Sequence, residues 1–294
     1  MERKRRFGDR KDGYRLRHTR SVLAVMPHIM KERADSQVYY DDYIDIGELE
    51  KYVRRLRKEK DMPQFSLYHV IIAAAVRMFV IRPRLNRFVM NGKIYARNHL
   101  CVSMTNKRAL DEDAPDMCIK PYFDKTDTVF DVYRRVNEAV ENEVKSENGV
   151  NDTDIAATIL NRCPAWIVRA FINLMTFMDH HNLMTNFINK ISPFHNSFYI
   201  TDVGSIGIEP IYHHIYNFGT TSVFIALGKK EFITVANPDG TITTKKVVRL
   251  RMVLDERICD GHYYAESFRT FRRLLKKPEV LEVPPTEIPE DTWI

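Results

Sequence analysis

The sequence predicts an α/β fold in which a mixed β-sheet and a set of helices pack as two layers. Segments with apolar residues at helical spacing are interspersed with short strand-like runs of β-branched and aromatic residues. Residues 66–81 are apolar on nearly every side, which is typical of a helix buried inside a core. The chain contains no internal repeat and no Gly/Ser linker, so we expect a single main domain. This mixture favours an α/β sandwich over a helical bundle or a β-barrel.

Each predicted element has its own local signal. The helices share apolar residues at three- and four-residue steps, and they are predicted over 16–34, 46–60, 66–81, 128–144 and 263–275. Ser66 and Thr128 are the expected N-caps of two of them, and Pro83 ends the core helix. The strands are predicted over 37–43, 93–96, 100–105, 198–201, 222–227, 232–236 and 241–254. Asn237-Pro238-Asp239-Gly240 is a typical hairpin turn between the last two.

Composition restricts the class of protein. The chain has 294 residues, of which 44% are hydrophobic and 29% charged, as in ordinary soluble domains. It shows neither a signal peptide nor an apolar run of the roughly 20 residues that a membrane span needs. Its four cysteines are scattered without a Cys-x-x-Cys pair, which favours reduced thiols, argues against a zinc site and predicts a cytoplasmic location.

Positive charge is concentrated at the start of the chain. Residues 1–20 hold nine Lys/Arg against three acids, a net charge of +6, which equals the net charge of the whole chain. We therefore expect residues 1–15 to form a basic, disordered arm on a neutral body. Nucleic acid is not an expected partner, because nucleic-acid-binding domains usually spread positive charge over a face. Residues 283–294 are expected to form a C-terminal tail.

The most informative segment is residues 255–261, Asp-Glu-Arg-Ile-Cys-Asp-Gly, between an apolar strand and a helix. It resembles the His-x-x-x-Asp-Gly signature of the chloramphenicol acetyltransferase and dihydrolipoamide (2-oxoacid dehydrogenase) acyltransferase superfamily. Three further stretches resemble the catalytic domain of that superfamily, and they occur in its order. They are the core helix closing on Arg82-Pro83-Arg84-Leu85-Asn86, the strand Phe198-Tyr199-Ile200-Thr201-Asp202-Val203-Gly204, and the strand Val223-Phe224-Ile225-Ala226-Leu227-Gly228.

This resemblance implies a fold, an activity and an assembly. It implies a chloramphenicol-acetyltransferase-like two-layer sandwich over residues 16–282 and a homotrimer whose sites lie between subunits. An acyl group would pass from coenzyme A to a small-molecule thiol, hydroxyl or amine. Thr201 would donate a hydrogen bond to the oxyanion of the tetrahedral intermediate. Asp260 and Arg257 would brace the loop with Gly261, and Arg17 or Arg20 could supply a further arginine partner for Asp260.

Glu256 stands where the superfamily has its catalytic histidine. Imidazole has a reference pKa near 6.5, whereas a glutamate carboxyl starts near 4.3 and is the weaker base. Three alternatives remain open from the sequence. Glu256 could act as the replacement base, or it could form a structural ion pair in a catalytically silent homologue that binds acyl-CoA or a protein partner. In the third, another histidine serves as base, with His213, His214 and His262 as candidates.

Two further features complete the prediction. Residues 152–196 form an extra helical segment rich in Met and Phe. It could pack in the core or in an oligomer, cap an acyl pocket, or touch a membrane surface. The adjacent pair His213-His214 is a poor metal site, since neighbouring ligands seldom converge on one ion, and no metal is expected. Because no lipoyl domain or Pro/Ala-rich linker is recognisable, we do not expect the chain to form the swinging-arm core of a 2-oxoacid dehydrogenase complex.

Overall fold

The computed structural model of the chain describes residues 3–107, 116–145 and 162–294. Its main feature is a seven-stranded sheet with the order β2–β10–β9–β8–β5–β6 and with β7 paired to β5. The strands are β2 (Gln37–Asp45), β5 (Leu100–Lys107), β6 (Asp116–Ile119), β7 (Tyr122–Phe123), β8 (Phe198–Asp202), β9 (Val223–Ala236) and β10 (Ile242–Asp255). Strand β8 runs parallel to both β5 and β9, whereas the other pairs are antiparallel. The sheet is therefore mixed, as predicted.

A smaller sheet of three antiparallel strands has the order β1–β4–β3. Its strands are β1 (Gly13–Arg15), β3 (Arg87–Met90) and β4 (Lys93–Arg97). Gly13 in β1 pairs with Arg97 in β4. A side chain at Gly13 would meet the Ala96 carbonyl and the Phe88 ring at 2.9 Å, so the close approach of these strands requires a glycine.

The described residues form seven α-helices, which are α1 (Ser21–Ile29), α2 (Gly47–Glu59), α3 (Leu67–Ile81), α4 (Val129–Lys145), α5 (Ala165–His180), α6 (Asn186–Ile191) and α7 (Gly261–Lys276). Helix α3 is buried along 12 consecutive residues, 69–80, and contacts α2, α4 and α7. Its apolar side chains join those of the large sheet in one core. The structure thus has a layer of helices against one face of the sheet, and the predicted two-layer sandwich is confirmed.

The N-terminal segment does not behave as the predicted arm. Arg10 is buried and forms ion pairs with Asp12 and Asp179, and Gly13–Arg15 forms β1. The prediction of a disordered arm over 1–15 was wrong for the described residues 3–15. Its basis was local charge density alone, and the acidic partner Asp179 lies 169 residues further along the chain.

Two other elements differ from the sequence prediction. The strands predicted at 222–227 and 232–236 are one continuous strand, β9, paired with β10 along its length. The helix predicted over 16–34 covers only Ser21–Ile29, since Leu16 instead donates its backbone N–H to the carbonyl of Ile94. The predicted hairpin turn is confirmed, and Gly240 adopts a positive φ of 82° in it.

The extra helical segment is described from residue 162 onward, and residues 152–161 lie outside the described residues. Within α5 only Asp179 is buried, whereas Trp166, Leu174 and Phe177 are exposed. The interpretation of this helix as core is therefore wrong for a single chain. Its apolar face points to solvent in the protomer.

Candidate functional site

Residues 255–261 form a tightly held connection between β10 and α7. Asp255 is fully buried, and both its carboxylate oxygens accept hydrogen bonds from the Arg257 guanidinium, at 2.8 and 2.7 Å. The Arg257 Nη1 donates in turn to the carbonyls of Met30 and Lys31. A buried charge needs such a partner, because an unpaired one would cost several kcal/mol, about 3–5. Arg257 is therefore a structural brace of this connection.

Further hydrogen bonds hold the backbone of the same connection. The Arg87 Nη1 donates to the Ile258 carbonyl at 3.0 Å, and the Tyr264 hydroxyl donates to the Asp255 carbonyl at 2.7 Å. The Glu256 backbone N–H donates to the carbonyl of Ser36 at 2.8 Å. The backbone that carries Glu256 is thus fixed from three directions, as a preorganised site requires.

The Glu256 side chain itself points outward. It is exposed, and its carboxylate takes part in no hydrogen bond or ion pair with any residue in the described ranges. The arginine beside it, Arg257, is already engaged by Asp255. The structural ion pair considered for Glu256 is consequently not present within the described part of one chain.

Asp260 has a different role from the one predicted. Its carboxylate accepts a hydrogen bond from the Tyr263 backbone N–H at 2.8 Å, which makes it the N-cap of α7. Arg17 pairs with Asp9, and the Arg20 guanidinium lies over the Trp293 ring. Among the described residues Asp260 forms no ion pair, so the salt bridge predicted for it is not present there. The buried position next to Arg257 belongs to Asp255, whereas Asp260 is exposed at a helix N-terminus, where a negative charge is favourable.

Gly261 is the first residue of α7, and a β-carbon built there meets nothing within 4 Å. Neither its backbone conformation nor the surrounding protomer demands a glycine. We therefore find no structural reason within one chain for the bracing role predicted for Gly261.

Thr201 lies on β8, which is separated by β9 from β10, the strand that leads into Asp255. It pairs with Ala226 of β9, which pairs with Arg251 of β10. Asp255 is four residues beyond Arg251, about 13 Å along the strand, and two strand spacings add about 10 Å across the sheet. The α-carbons of Thr201 and Asp255 are thus about 16 Å apart. The side chains of Thr201 and Glu256 of one protomer cannot both reach a single carbonyl group at hydrogen-bond distance.

Of the three candidate histidines, His213 and His214 lie side by side with ring centroids 5.1 Å apart, and His262 lies on α7. The His213 ring stacks on Phe224 with centroids 4.1 Å apart, and Phe224 stacks on Tyr199 of β8. Since residues 199 and 201 alternate with the core-facing Ile200, His213 lies on the same face of the sheet as Thr201. Its Nδ1 is 3.0 Å from the His214 carbonyl, so Nδ1–H donates there and the Nε2 lone pair is left free. His214 and His262 are both exposed.

Two pockets flank these groups, and the sequence prediction missed both. The first pocket, which we call the Thr201-side pocket after the neighbouring Asp202, has a volume of about 780 Å³ and is lined by Asp202, Gly204, Arg54, Arg57 and Lys229, among others; Thr201 itself is not part of the lining. The Arg257-side pocket has a volume of about 630 Å³ and is lined by Arg257, Arg33, Met90, Thr176 and His180, among others. Their walls come from segments far apart in the chain, so no local pattern indicates them. The one local indication of the Thr201-side pocket in the sequence is the lysine pair Lys229-Lys230, which directly follows Gly228.

Two other kinds of site are absent from the part of the chain that the structure describes. Among the residues that the structure describes, no group of three His, Cys, Asp or Glu side chains could hold a metal ion. Over the same ranges, no helix combines the length and the apolar character that crossing a bilayer requires.

The fold is of the chloramphenicol-acetyltransferase-like type. Residues 193–283, a segment that includes both Thr201 and Glu256, match the family "2-oxoacid dehydrogenases acyltransferase (catalytic domain)". The resemblance to this superfamily that the sequence predicted is confirmed.

Solved structures of this class superimpose over nearly the whole chain. A probable dihydrolipoamide acetyltransferase from Listeria monocytogenes is 14% identical, with 92% of this chain and 95% of that one covered and a TM-score of 0.56. The dihydrolipoamide acetyltransferase of Azotobacter vinelandii is 12% identical over 90% and 93% of the two chains, with a TM-score of 0.54. A chloramphenicol acetyltransferase is 10% identical over 88% and 96%, with a TM-score of 0.51. These identities are low, so the superpositions establish the fold. The sequence matches none of the curated proteins with which it was compared.

Proposed function

We propose that this protein transfers an acyl group from coenzyme A to a small-molecule thiol, hydroxyl or amine, at a site shared by two protomers. One observation carries the proposal. The segment that matches the acyltransferase family, 193–283, holds both Thr201 and the braced connection that presents Glu256. The Azotobacter vinelandii enzyme has a serine, a histidine and an asparagine under study in its mechanism, with the last two four residues apart, as Glu256 and Asp260 are here.

The proposed reaction is an acyl transfer in which Glu256 acts as the general base. The Glu256 carboxylate takes the proton of the acceptor X–H while X attacks the thioester carbonyl carbon. The carbonyl oxygen becomes an oxyanion and accepts a hydrogen bond from the Thr201 hydroxyl. The tetrahedral intermediate then collapses, the C–S bond breaks, and the protonated Glu256 returns its proton to the leaving thiolate. The products are acyl-X and free coenzyme A.

The distance between the two groups supports a site built from two chains. Within one protomer the relevant α-carbons are about 16 Å apart by strand geometry. The exposed Glu256 of one protomer can instead face the Thr201 surface of a neighbour, which fits the homotrimer implied by the family resemblance. A neighbour would also exclude water from the carboxylate, and exclusion of water strengthens a carboxylate as a base.

The Thr201-side pocket fits the acyl-CoA substrate by charge. Arg54 and Arg57 line it and form no ion pair within the described ranges, whereas Lys230 and Lys246 are both engaged by Glu50. A diphosphate needs cationic groups whose charge is not already paired, and the Arg57 Nε donates only to the neutral Phe65 carbonyl. We propose that Arg54 and Arg57 hold the phosphates and that the pantetheine arm reaches the end of β8 at Asp202.

His213 is the alternative base. It lies on the face of the sheet that carries Thr201, and its Nε2 has no hydrogen-bond partner in the described residues. A half-buried imidazole whose Nε2 has no partner is placed to accept a proton from an acceptor group. The second candidate function, a catalytically silent protein that binds acyl-CoA, applies if neither group acts as a base.

The test measures release of free thiol from a panel of acyl-CoA thioesters with thiol, hydroxyl and amine acceptors. We expect turnover by the wild type and a loss of about 100-fold or more in kcat for Glu256→Gln and for Thr201→Val, the usual effect of removing a base or an oxyanion donor. The matched control is Glu48→Gln, whose exposed carboxylate lies on α2, and it should retain wild-type activity.

The remaining outcomes separate the alternatives. Full activity of Glu256→Gln together with inactive His213→Asn would move the base to His213. If the wild type binds acyl-CoA by calorimetry but gives no turnover, and Glu256→His gains activity, the silent homologue is the correct function. A wild type that neither turns over nor binds acyl-CoA contradicts both functions.

A further inference from the structure

Residues 162–191, which contain α5 and α6, expose large apolar side chains to solvent. Five of these side chains are more than half exposed, namely those of Trp166, Leu174, Phe177, Leu183 and Phe187. Trp166, Leu174 and Phe177 are separated by eight and three residues, close to whole helical turns, so they share one side of α5. We call the five side chains the α5 surface. A cluster of exposed apolar side chains of this kind is typical of a contact with another surface.

Helix α5 is held against the protein by its other side. Thr176 lines the Arg257-side pocket, and it lies about 200° around the helix from Leu174. Asp179 is buried near the C-terminal end of α5, where its carboxylate accepts hydrogen bonds from Arg10 and His195. These contacts fix which side of α5 faces the protein, and they leave the α5 surface directed away from it.

The exposed charges of the same residues are all positive. Arg162, Arg169 and Lys190 are exposed and form no ion pair within the described ranges. The one acid between residues 162 and 191 is Asp179, which is buried and already paired with Arg10. The α5 surface therefore lies in cationic surroundings, which suit a negatively charged partner.

The fold brings further positive charge to this place from the start of the chain. The Lys11 backbone N–H donates to the Asn182 side chain at 3.0 Å, and the Lys11 ammonium group donates to the Met184 carbonyl at 3.2 Å. Arg5 folds back and donates to the Lys11 carbonyl at 2.9 Å. Residues 4–6, Lys-Arg-Arg, are exposed and form no ion pair in the part of the chain that the structure describes. These cations thus lie near the connection between α5 and α6, although they are remote from it in the sequence.

We propose that the α5 surface and the cations of residues 4–6 bind together to the surface of a lipid bilayer that contains anionic lipids. The apolar side chains would enter the boundary between headgroups and acyl chains, where a tryptophan such as Trp166 is favoured. The cations would meet the negative headgroups. An apolar helix face and a basic stretch are two separate signals, and stable attachment of a protein to a membrane surface usually needs two.

The charge distribution favours a bilayer over a second copy of the chain. Two copies that met through this same surface would bring the cations of one chain against the cations of the other, which is unfavourable. An anionic bilayer supplies both an apolar layer and negative charge. The inference is independent of the proposed acyl transfer, because neither Thr201 nor Glu256 takes part in it.

Sedimentation of the full-length protein with vesicles tests the proposal. We expect the wild type to bind vesicles of phosphatidylcholine with about one third phosphatidylglycerol at least tenfold more strongly than vesicles of phosphatidylcholine alone. Leu174→Asn/Phe177→Asn should weaken binding to the anionic vesicles at least tenfold, because it removes exposed apolar area. Lys4→Gln/Arg5→Gln/Arg6→Gln should also weaken it at least tenfold. Since all these side chains are exposed, the variants should fold normally.

Matched controls lie elsewhere on the surface. Phe232→Asn changes an apolar side chain of β9 that is 71% exposed, and Lys58→Gln/Lys60→Gln changes two exposed lysines at the end of α2. Both controls should bind anionic vesicles as the wild type does. The fluorescence of Trp166 should shift to shorter wavelength when the protein binds, and Trp166→Phe should lose this shift while it still sediments with the vesicles.

Several outcomes overturn the proposal. A wild type that does not sediment with the anionic vesicles removes it, as does unchanged binding of either the Leu174→Asn/Phe177→Asn or the Lys4→Gln/Arg5→Gln/Arg6→Gln variant. A fluorescence shift that persists in Trp166→Phe would show that α5 does not enter the bilayer. If the wild type binds no vesicles and Leu174→Asn/Phe177→Asn has a smaller oligomeric mass by light scattering, the α5 surface is instead a contact between copies of the chain.

Discussion

Arg87 connects the candidate site to the end of the chain through a single side chain. Its guanidinium is fully buried, donates to the Ile258 carbonyl beside Glu256 at 3.0 Å, and forms a bidentate ion pair with Asp291. The Trp293 ring lies 4.6 Å from the guanidinium carbon. The C-terminal residues are thus part of the support of the 255–261 connection.

Removal of Asp291 should therefore destabilise the whole protein. Asp291→Ala leaves the Arg87 charge buried without its partner, and we expect a loss of about 3–5 kcal/mol in the free energy of unfolding. Urea denaturation followed by circular dichroism measures it. The control is Glu48→Ala, which breaks the exposed pair with Lys51 and should cost less than about 1 kcal/mol. Equal effects of the two substitutions would contradict the structural role of Asp291.

At the scale of single elements, an aspartate before a helix can either cap that helix or form a salt bridge, and Asp260 is such a residue. Its carboxylate accepts the Tyr263 backbone N–H and starts α7. The superfamily resemblance implied a salt bridge instead. The two roles make different demands on the side chain, because an N-cap needs a hydrogen-bond acceptor and a salt bridge needs a charge.

Substitution at residue 260 separates the two roles. Asparagine caps helices as well as aspartate does, so Asp260→Asn should stay within about 0.5 kcal/mol of the wild-type stability, and Asp260→Ala should lose about 1 kcal/mol. Thermal unfolding of both variants provides the measurement. An Asp260→Asn variant as unstable as Asp260→Ala would point to an ion pair that one protomer does not contain, such as a contact across a subunit interface.

The elements that the sequence predicted well are those with local causes. Helix α3 follows from its continuous apolar run, its Ser66 cap and Pro83, and the hairpin follows from the turn that ends in Gly240. The errors concern partners distant in the chain. Arg10 is buried because Asp179 folds against it. No pattern within a short window contains such information.

At the scale of the whole molecule, the sheet separates the two halves of the proposed site. Glu256 follows the end of β10, and Thr201 lies near the end of β8, which runs in the opposite direction to β10. Antiparallel strands place their carboxyl ends at opposite edges of a sheet. If Thr201 and Glu256 act together, a second copy of the chain must supply one of them, so the proposed assembly and the proposed activity depend on one another.

Mixed oligomers test this dependence. Glu256→Gln and Thr201→Val are each expected to be inactive alone, but co-expressed chains form some interfaces in which one protomer supplies Thr201 and the other Glu256. A doubly tagged cyclic trimer contains two chains of one variant and one of the other, so about one of its three interfaces contains both intact groups. We therefore expect about a third of the wild-type acyl transfer rate from doubly tagged, co-purified oligomers.

The control for this experiment is the double variant Glu256→Gln/Thr201→Val co-expressed with a Glu256→Gln chain. None of its interfaces holds an intact Glu256, so no recovery is expected. Recovery in the first mixture but not in the control supports a shared site. If the site lay within one chain, each variant chain would still lack one of the two groups, and mixing the chains would restore no activity. If mixed oligomers carry both tags but show no recovery, Thr201 and Glu256 have separate functions. His213, on the Thr201 face of the sheet, would then be the base.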